Sequence, residues 1–543
     1  MGLNKDRRGF RSHVVVALCL TLFAVSVKGK VKPPFKVLYS DDTTNILTCE
    51  SPFHQDGQSI SMNMLDAVVD ETAGTGIDVH MLQPGFTWVP FWQSKILPVE
   101  KHAEWWNKTY PDVGGVSGYL QMVLDGHDFV RQFVARCNQD GLVPFVSIRL
   151  NDKHLLNEIF DPKSTGRSVH ISKYYIDHLD YRIGDDKNDT YQRVHNWAIP
   201  EVREYKYQFI KEICENYDIA GLELDFLRHP SFFRLYETSE NERKQIMTDF
   251  VRRVRVLLDN TARNGKHRWL SVRVPQYLES CGILGVDYKG FEAAGVDIFN
   301  ISGYYFTSQQ GDIRQIAELI PDSAKYQELT HCAAIGQIVA NGIDNFDFRR
   351  TTDEQFYTTA HLAYQAGFDG VSTFNFQYYR KHGVGDRGEF NEPPFHIFKH
   401  IGDKGWVAKQ PQHYFIGKIW NEPRRTYIPL SQRLENGPEY LTFHIPMAPP
   451  TGGWTQDARM RFQADRAWSD QKLIVRFNNV NLKTIKDVSE PYPTPYKSGN
   501  GFPEQYRAYT IPKDILADGV NQLEIRCVGG DPLDLIYIDV AAQ

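Results

Sequence analysis

The segment GLELDFLRHP, Gly221 to Pro230, sets two carboxylates two residues apart in a short apolar run. Side chains of an extended strand alternate between faces, so Leu222, Leu224 and Phe226 share one face while Glu223 and Asp225 share the other. A carboxylate pair on the inner face of a sheet is costly unless it is solvated, paired or used in chemistry. The chemistry it suits is nucleophilic attack or charge stabilisation, with a nearby cation keeping the acid ionised. SIRLN places Ser147, Arg149 and Asn151 on one face, and SVRV does the same for Ser271 and Arg273. Strands flanking the acid strand would bring both arginines within the ~4–6 Å over which an opposite charge holds a carboxylate ionised. The same set also serves as a structural ion network, and Glu223, one layer below Asp225, fits either role.

Hydrolysis of a glycosidic bond needs two carboxyl groups on opposite sides of it, ~5–5.5 Å apart in retaining enzymes and farther apart in inverting ones. One face of one strand cannot easily supply both, so a partner is expected from across the fold. YQELTHC offers Glu328 as the proton donor opposite Asp225, with Glu223 a third catalytic candidate and Asp152 and Glu279 in reserve. Asp41 and Asp42 close the first β-type run, where they would hydrogen-bond sugar hydroxyls. Further substrate contacts are expected from Trp88, Arg149, Asn151, Asp152, His154, Arg228, His229, Arg273, Tyr304, Tyr305 and Asn375. Trp92, Trp105 and Trp106 crowd the same region as Trp88, and Tyr378 and Tyr379 follow the last run; such aromatics either stack on sugar rings or pack their loops. No pair of closely spaced histidines marks the first run, so neither a metal nor another cofactor is expected.

The elements that must hold these residues are eight β-type runs: Val37 to Ser40, Ile77 to Gln83, Leu142 to Asn151, Ile219 to Phe226, Trp269 to Val274, Val296 to Tyr305, Tyr326 to Thr330 and Gly370 to Phe376. Amphipathic stretches such as Val202 to Asn216, Arg243 to Leu258 and Glu354 to Ala366 separate them. This predicts an α/β fold, a (β/α)8 TIM barrel over 30–405, with the acids at the C-terminal ends of its strands. An open doubly wound sheet would carry a Gly-rich phosphate turn after its first strand, and YSDDTTN has none. A Pro- and Gly-rich passage over 406–457, assigned to a linker and the first strands of a terminal module, leads into alternating runs over 458–543. Those runs predict an all-β, jelly-roll-like sandwich that either binds sugar or braces the barrel.

With 61 Lys+Arg against 67 Asp+Glu the net charge is −6, and no basic block marks a nucleic-acid interface. Lys5, Arg7, Arg8 and Arg11 precede an apolar run from Val14 to Val27 that is shorter than the ~20 residues of a spanning helix, so 1–29 reads as an export signal. Export to the periplasm or exterior follows, with no integral membrane segment once the signal is removed. Cys19 lies in that run; the other six cysteines form no CxxC pair, and their pairing is not legible. Oligomeric state is likewise not legible.

The run NWAIPEVREYKYQFIKEICENYDIAGLELDF, Asn196 to Phe226, resembles the glycoside-hydrolase-like barrel proteins of bacteria, of the glycosyl-hydrolase-like family 10 type. There an Asn and a Pro-Glu-Val-Arg helix start precede a Tyr-Asp and a strand ending in Asp. Ala220 stands where that family has an Asp and Phe226 where it has a second acid, so Asp225 is the position carried over. GLELDFLRH is also similar to the strand-four pattern of the alpha-amylase superfamily, Gly-Phe-Arg-x-Asp-x-x-Lys-His, with Asp225 at the nucleophile position, Arg228 and His229 at the basic pair and Glu223 in place of Arg. In family-18 chitinases the acid would fall at Leu227, so their mechanism is not expected. The resemblances imply an exported glycoside hydrolase acting on a polysaccharide or oligosaccharide. Lys153, His154, Arg228, His229, His331, Arg380 and Lys381 at strand ends point to an acidic or sulfated one. The alternatives are a noncatalytic glycan-binding protein on the same scaffold and a barrel enzyme acting on a sugar by other chemistry.

Overall fold

Eight parallel strands close into a barrel in chain order: β1 (Val37–Asp42), β2 (Val79–Gln83), β3 (Val143–Arg149), β4 (Gly221–Asp225), β5 (Trp269–Pro275), β6 (Ile298–Ser302), β7 (Ala324–His331) and β8 (Gly370–Phe374), with β8 pairing back onto β1. The computed structural model describes residues 32–43, 60–116, 118–156, 168–186, 190–304, 306–331, 334–335, 349–379, 393–417, 430, 432–493 and 500–543. The expected export signal over 1–29, Cys49, Cys332, Tyr305, Arg380 and Lys381 lie outside the described residues, as do the side chains of His331, Tyr378 and Tyr379. Among the described residues no helix is long and apolar enough to cross a membrane.

The alternation within each strand decides the architecture. Outward Val146, Leu222, Leu224, Val272, Phe299 and Ile301 meet the surrounding helices in one continuous apolar core. Those helices include α1 (Phe129–Asp140), α2 (Pro200–Asn216), α3 (Glu240–Asn260) and α4 (Asp353–Gln365). Their ends follow local chemistry. Asp128 caps α1 by accepting from the Arg131 N–H, and Gly141 ends it in a left-handed conformation. Pro200 opens α2, and reciprocal capping boxes, Ser239 with Glu242 and Thr352 with Gln355, open α3 and α4.

The C-terminal module is an antiparallel sandwich built from β9 (Gln412–Ile416), β10 (Gln432–Leu434), β11 (Leu441–Met447), β12 (Ala458–Ala464), β13 (Lys472–Phe477), β14 (Val480–Asn481), β15 (Lys483–Ile485), β16 (Tyr506–Ile511), β17 (Gly519–Gly529) and β18 (Leu533–Ala542). One sheet runs β9-β18-β12-β16-β15 with β10 also on β18, and the other runs β11-β17-β13-β14. Their inner faces bury Phe443, Met460, Phe462, Phe477, Leu523 and Ile538, and Leu362 of α4 joins that core.

Candidate active site

Inward side chains fill the barrel in layers. The floor is apolar, with Leu38, Met81, Phe145, Ile298 and Tyr326. Above it lies Glu223, which accepts hydrogen bonds from Ser147 Oγ (2.8 Å), Ser271 Oγ (3.2 Å) and Asn300 Nδ2 (3.1 Å). Burial, reinforced by the charge of Asp225, pushes its pKa up to about 7.

The top layer is set by strand register: Arg149 of β3 pairs with Asp225 of β4, and Asp225 with Arg273 of β5. Asp225 accepts from Arg273 Nη1 (3.2 Å), Gln83 Nε2 (3.0 Å) and the main-chain N–H groups of Leu227 and Arg228 (2.8 and 3.2 Å). Its side chain is fully buried. The carboxylate is thus held by a cation and three further donors before any ligand arrives. Glu328 faces the same guanidinium from β7: it accepts from Arg273 Nε (2.5 Å) and Nη2 (2.7 Å) and from Ser302 Oγ (2.8 Å). Burial outweighs these contacts and raises the Glu328 pKa, while Glu328 and Asp225 together raise that of Arg273. Glu328 lies two residues past the floor residue Tyr326 and turns inward by alternation; a register shift in the β7–β8 pairing follows it, opposite Ser372/Thr373.

A second cluster adjoins the first. Asp42 accepts from Arg149 Nη2 (2.8 Å) and from Asn375 Nδ2 (3.1 Å), and Arg149 Nη1 reaches Asp152 (3.3 Å). Asp152 also meets His154 Nδ1 at 2.5 Å and His229 Nδ1 at 3.2 Å. Burial opposes its charge, but His154, Arg149 and His229 hold its pKa well below the usual carboxylate range. Burial lowers the pKa of both histidines. By residue type, Asp152, His154 and His229 are the one group among the described residues that could hold a metal. Two of their ring nitrogens already have neighbours: Arg228 Nη2 lies 2.8 Å from His154 Nε2, and the Lys153 N–H donates to His229 Nδ1 (3.0 Å).

Several expected sugar contacts are placed elsewhere. Asp41 alternates to the outer face of β1 and binds His80 Nε2 (3.0 Å) behind the barrel wall, so the expectation that it meets substrate is corrected. Asn151 Nδ2 is committed to the carbonyls of His195 (2.9 Å) and Ser231 (2.7 Å), while its buried Oδ1 has no hydrogen-bond partner. The Trp88 ring is covered, stacked on His195 at 4.2 Å with Lys206 Nζ 4.2 Å from its centre, so it is no open platform. Trp92 and Trp106 pack their loops, donating to Glu212 and to the Gly114 carbonyl. Glu279, the reserve acid, opens onto a separate cavity of about 370 Å³ that it shares with Asp312 and His444 of the sandwich.

Trp88, Tyr304 and Asn375 share one property: each is a non-glycine residue with positive φ (67°, 81° and 51°) just beyond a barrel strand. Such backbone strain gathers at binding and catalytic sites. The Tyr304 carbonyl accepts from Arg273 Nη2 (3.0 Å), and the Tyr304 hydroxyl lies 3.1 Å from that of Tyr191. Three contributors were missed from sequence. Gln83 was legible, since alternation from Met81 turns it inward; Ser302 was legible in the same way from Asn300. Lys206 stands with Val202, Phe209 and Ile213 on the apolar side of α2, a charge out of place in the helical period.

No known family profile and no curated protein matches the chain. Among solved structures it is similar to alpha-L-fucosidase isoenzyme 1 from Paenibacillus thiaminolyticus, at 12% identity over 91% of this chain and 96% of that one, with a TM-score of 0.33. It is also similar to the alpha-amylase from Geobacillus thermoleovorans, at 10% identity over 90% and 98%, with a TM-score of 0.35.

Proposed function

We propose that the protein is an exported glycoside hydrolase acting on a polysaccharide or oligosaccharide, with Asp225 as the nucleophile or charge-stabilising carboxylate. One observation carries the reading: Asp225 stands at the C-terminal end of β4 inside the barrel, fixed by Arg273, Gln83 and two main-chain N–H groups. Essentially every barrel enzyme works at that face, and a carboxylate oriented beforehand needs no rearrangement as positive charge grows on the sugar carbon. Glu328 stands across the lumen as the donor candidate. Its raised pKa is the direction an acid needs, and to deliver a proton it must first part from Arg273.

That same clasp favours a second reading, a noncatalytic glycan-binding protein. With both carboxylates bound to one guanidinium, the top layer is a satisfied ion network that could position loops rather than react. Incubating the purified chain with a panel of 4-nitrophenyl glycosides and plant and algal polysaccharides separates the two. Release of nitrophenol or reducing ends supports the hydrolase; retention on immobilised polysaccharide without any release supports the binding protein.

A further inference from the structure

Lys206 is a buried charge that the proposed chemistry does not use. Only 4% of it is exposed, and it points from α2 towards the barrel. Its amine meets the Trp88 ring, and the hydrogen bonds and ion pairs of the described residues include none from it. Burial depresses its pKa far below the ordinary lysine range, against the pull of Asp152.

The amine borders a cavity of about 50 Å³ between the Pro84–Pro90 turn, the end of β3 and α2. Two other lining residues carry buried polar atoms without a hydrogen-bond partner, Arg149 Nε and Gln83 Oε1. Gln83 is not free to turn, because its Nε2 is committed to Asp225. Asp152 also lines the cavity, but Arg149, His154 and His229 already occupy it. Lys206 is therefore the basic side chain of this lining without an ion-pair partner. The turn itself is costly. Gly85–Phe86 pairs with Val89–Pro90, leaving Thr87 and Trp88 as a two-residue loop with φ of 41° and 67°, a place where Asn-Gly is the ordinary choice. A water, with its ~30 Å³ share of volume, fits the space but brings no counter-charge to the Lys206 amine.

We propose that this cavity receives the carboxylate of an acidic sugar. Lys206 Nζ and Arg149 Nε are the cationic donors, Gln83 Oε1 accepts from a neighbouring hydroxyl, and the Trp88 indole forms the apolar wall. A uronic acid presents that combination, a carboxylate arm beside ring hydroxyls. The inference rests on the carbohydrate-active reading above and narrows its substrate class. No group is transferred in this pocket; it selects and orients.

The test is calorimetric titration of the full chain with D-glucuronate, D-glucose, acetate and sulfate. Charge-assisted hydrogen bonds from two cations predict that glucuronate binds at least ~10-fold more tightly than the other three. Lys206→Met should bind glucuronate no better than glucose and melt at the same temperature or higher, because it removes a buried amine that has no ion-pair partner. Lys206→Gln, which keeps a polar tip, provides the same comparison if the Met variant fails to fold. Equal binding of glucuronate and glucose by the wild type, or a preference retained in the variants, overturns the proposal. Acetate or sulfate binding as tightly as glucuronate overturns the sugar in favour of a general anion site. Selective glucuronate binding without hydrolysis of any glycoside would leave this pocket standing while removing the hydrolase.

Discussion

Glu223 accepts three hydrogen bonds from neutral donors, yet burial beneath Asp225 carries its pKa from 4.5 to about 7. Between those two pH values the folded chain holds a proton that the unfolded chain has released. The stability this group contributes is therefore fully present below about pH 4.5 and is lost as the pH rises towards 7. By urea unfolding, the stability of wild type relative to Glu223→Gln should fall by ~3 kcal/mol across that interval; a constant difference would show that Glu223 titrates normally. For Glu328 the prediction concerns leaving groups. If it is the proton donor, Glu328→Gln should slow hydrolysis of unactivated oligosaccharides at least ~100-fold while sparing activated aryl glycosides, which depart without protonation. Equal losses on both would leave Glu328 as the positioning partner of Arg273, consistent with the 2.5 and 2.7 Å bonds between them.

At the scale of elements, the barrel holds the acids because its floor is closed. Gly370 at the start of β8 leaves room for Tyr326: a Cβ there would lie 2.4 Å from the Lys36 carbonyl oxygen and 2.5 Å from the Tyr326 ring. Because main chain cannot yield as a side-chain tip can, Gly370→Ala should cost ~1–3 kcal/mol by chemical denaturation; a variant of wild-type stability would mean that the floor is looser than described. All eight barrel strands were legible, because outward Leu222, Leu224, Val272 and Ile301 alternate with inward Glu223, Asp225 and Arg273. Asp225 was legible for the same reason. What was not legible is pairing across space. Nothing in YQELTHC tells of the register shift that follows Glu328, and nothing near Arg273 says that one guanidinium serves both acids. Asp41 was misplaced because two consecutive aspartates at a strand end cannot both face the lumen, and only Asp42 does. Strands β9 and β11 were not resolved as separate runs in a passage rich in Pro and Gly, where alternation is brief.

On the scale of the whole molecule, barrel and sandwich belong to one compact unit, Lys32–Gln543. Strand β9 lies against α4 and the loop after β6. The His413 N–H donates to Thr358 Oγ1 (2.8 Å), the Phe415 N–H to Gln309 Oε1 (2.9 Å), and Gln310 Nε2 to the Phe415 carbonyl (2.8 Å). Arg349, buried, donates to Glu490 (3.3 Å) and to the Tyr506 hydroxyl, and stands 4.2 Å from the centre of the Tyr537 ring. A chain ending at Trp406 would leave these barrel groups without partners, so it should be insoluble or lack a cooperative thermal transition by circular dichroism; a soluble, cooperatively melting barrel would show that the sandwich only decorates it. The central claim is that the intact chain breaks glycosidic bonds with the Asp225 carboxylate. It is tested most directly by comparing wild type and Asp225→Asn on the most responsive substrate of the glycoside and polysaccharide panel, with melting temperatures measured alongside. The account predicts a folded variant, within a few degrees of wild type, whose kcat is lower by roughly 10³-fold or more. A folded Asp225→Asn that retains wild-type turnover would contradict it.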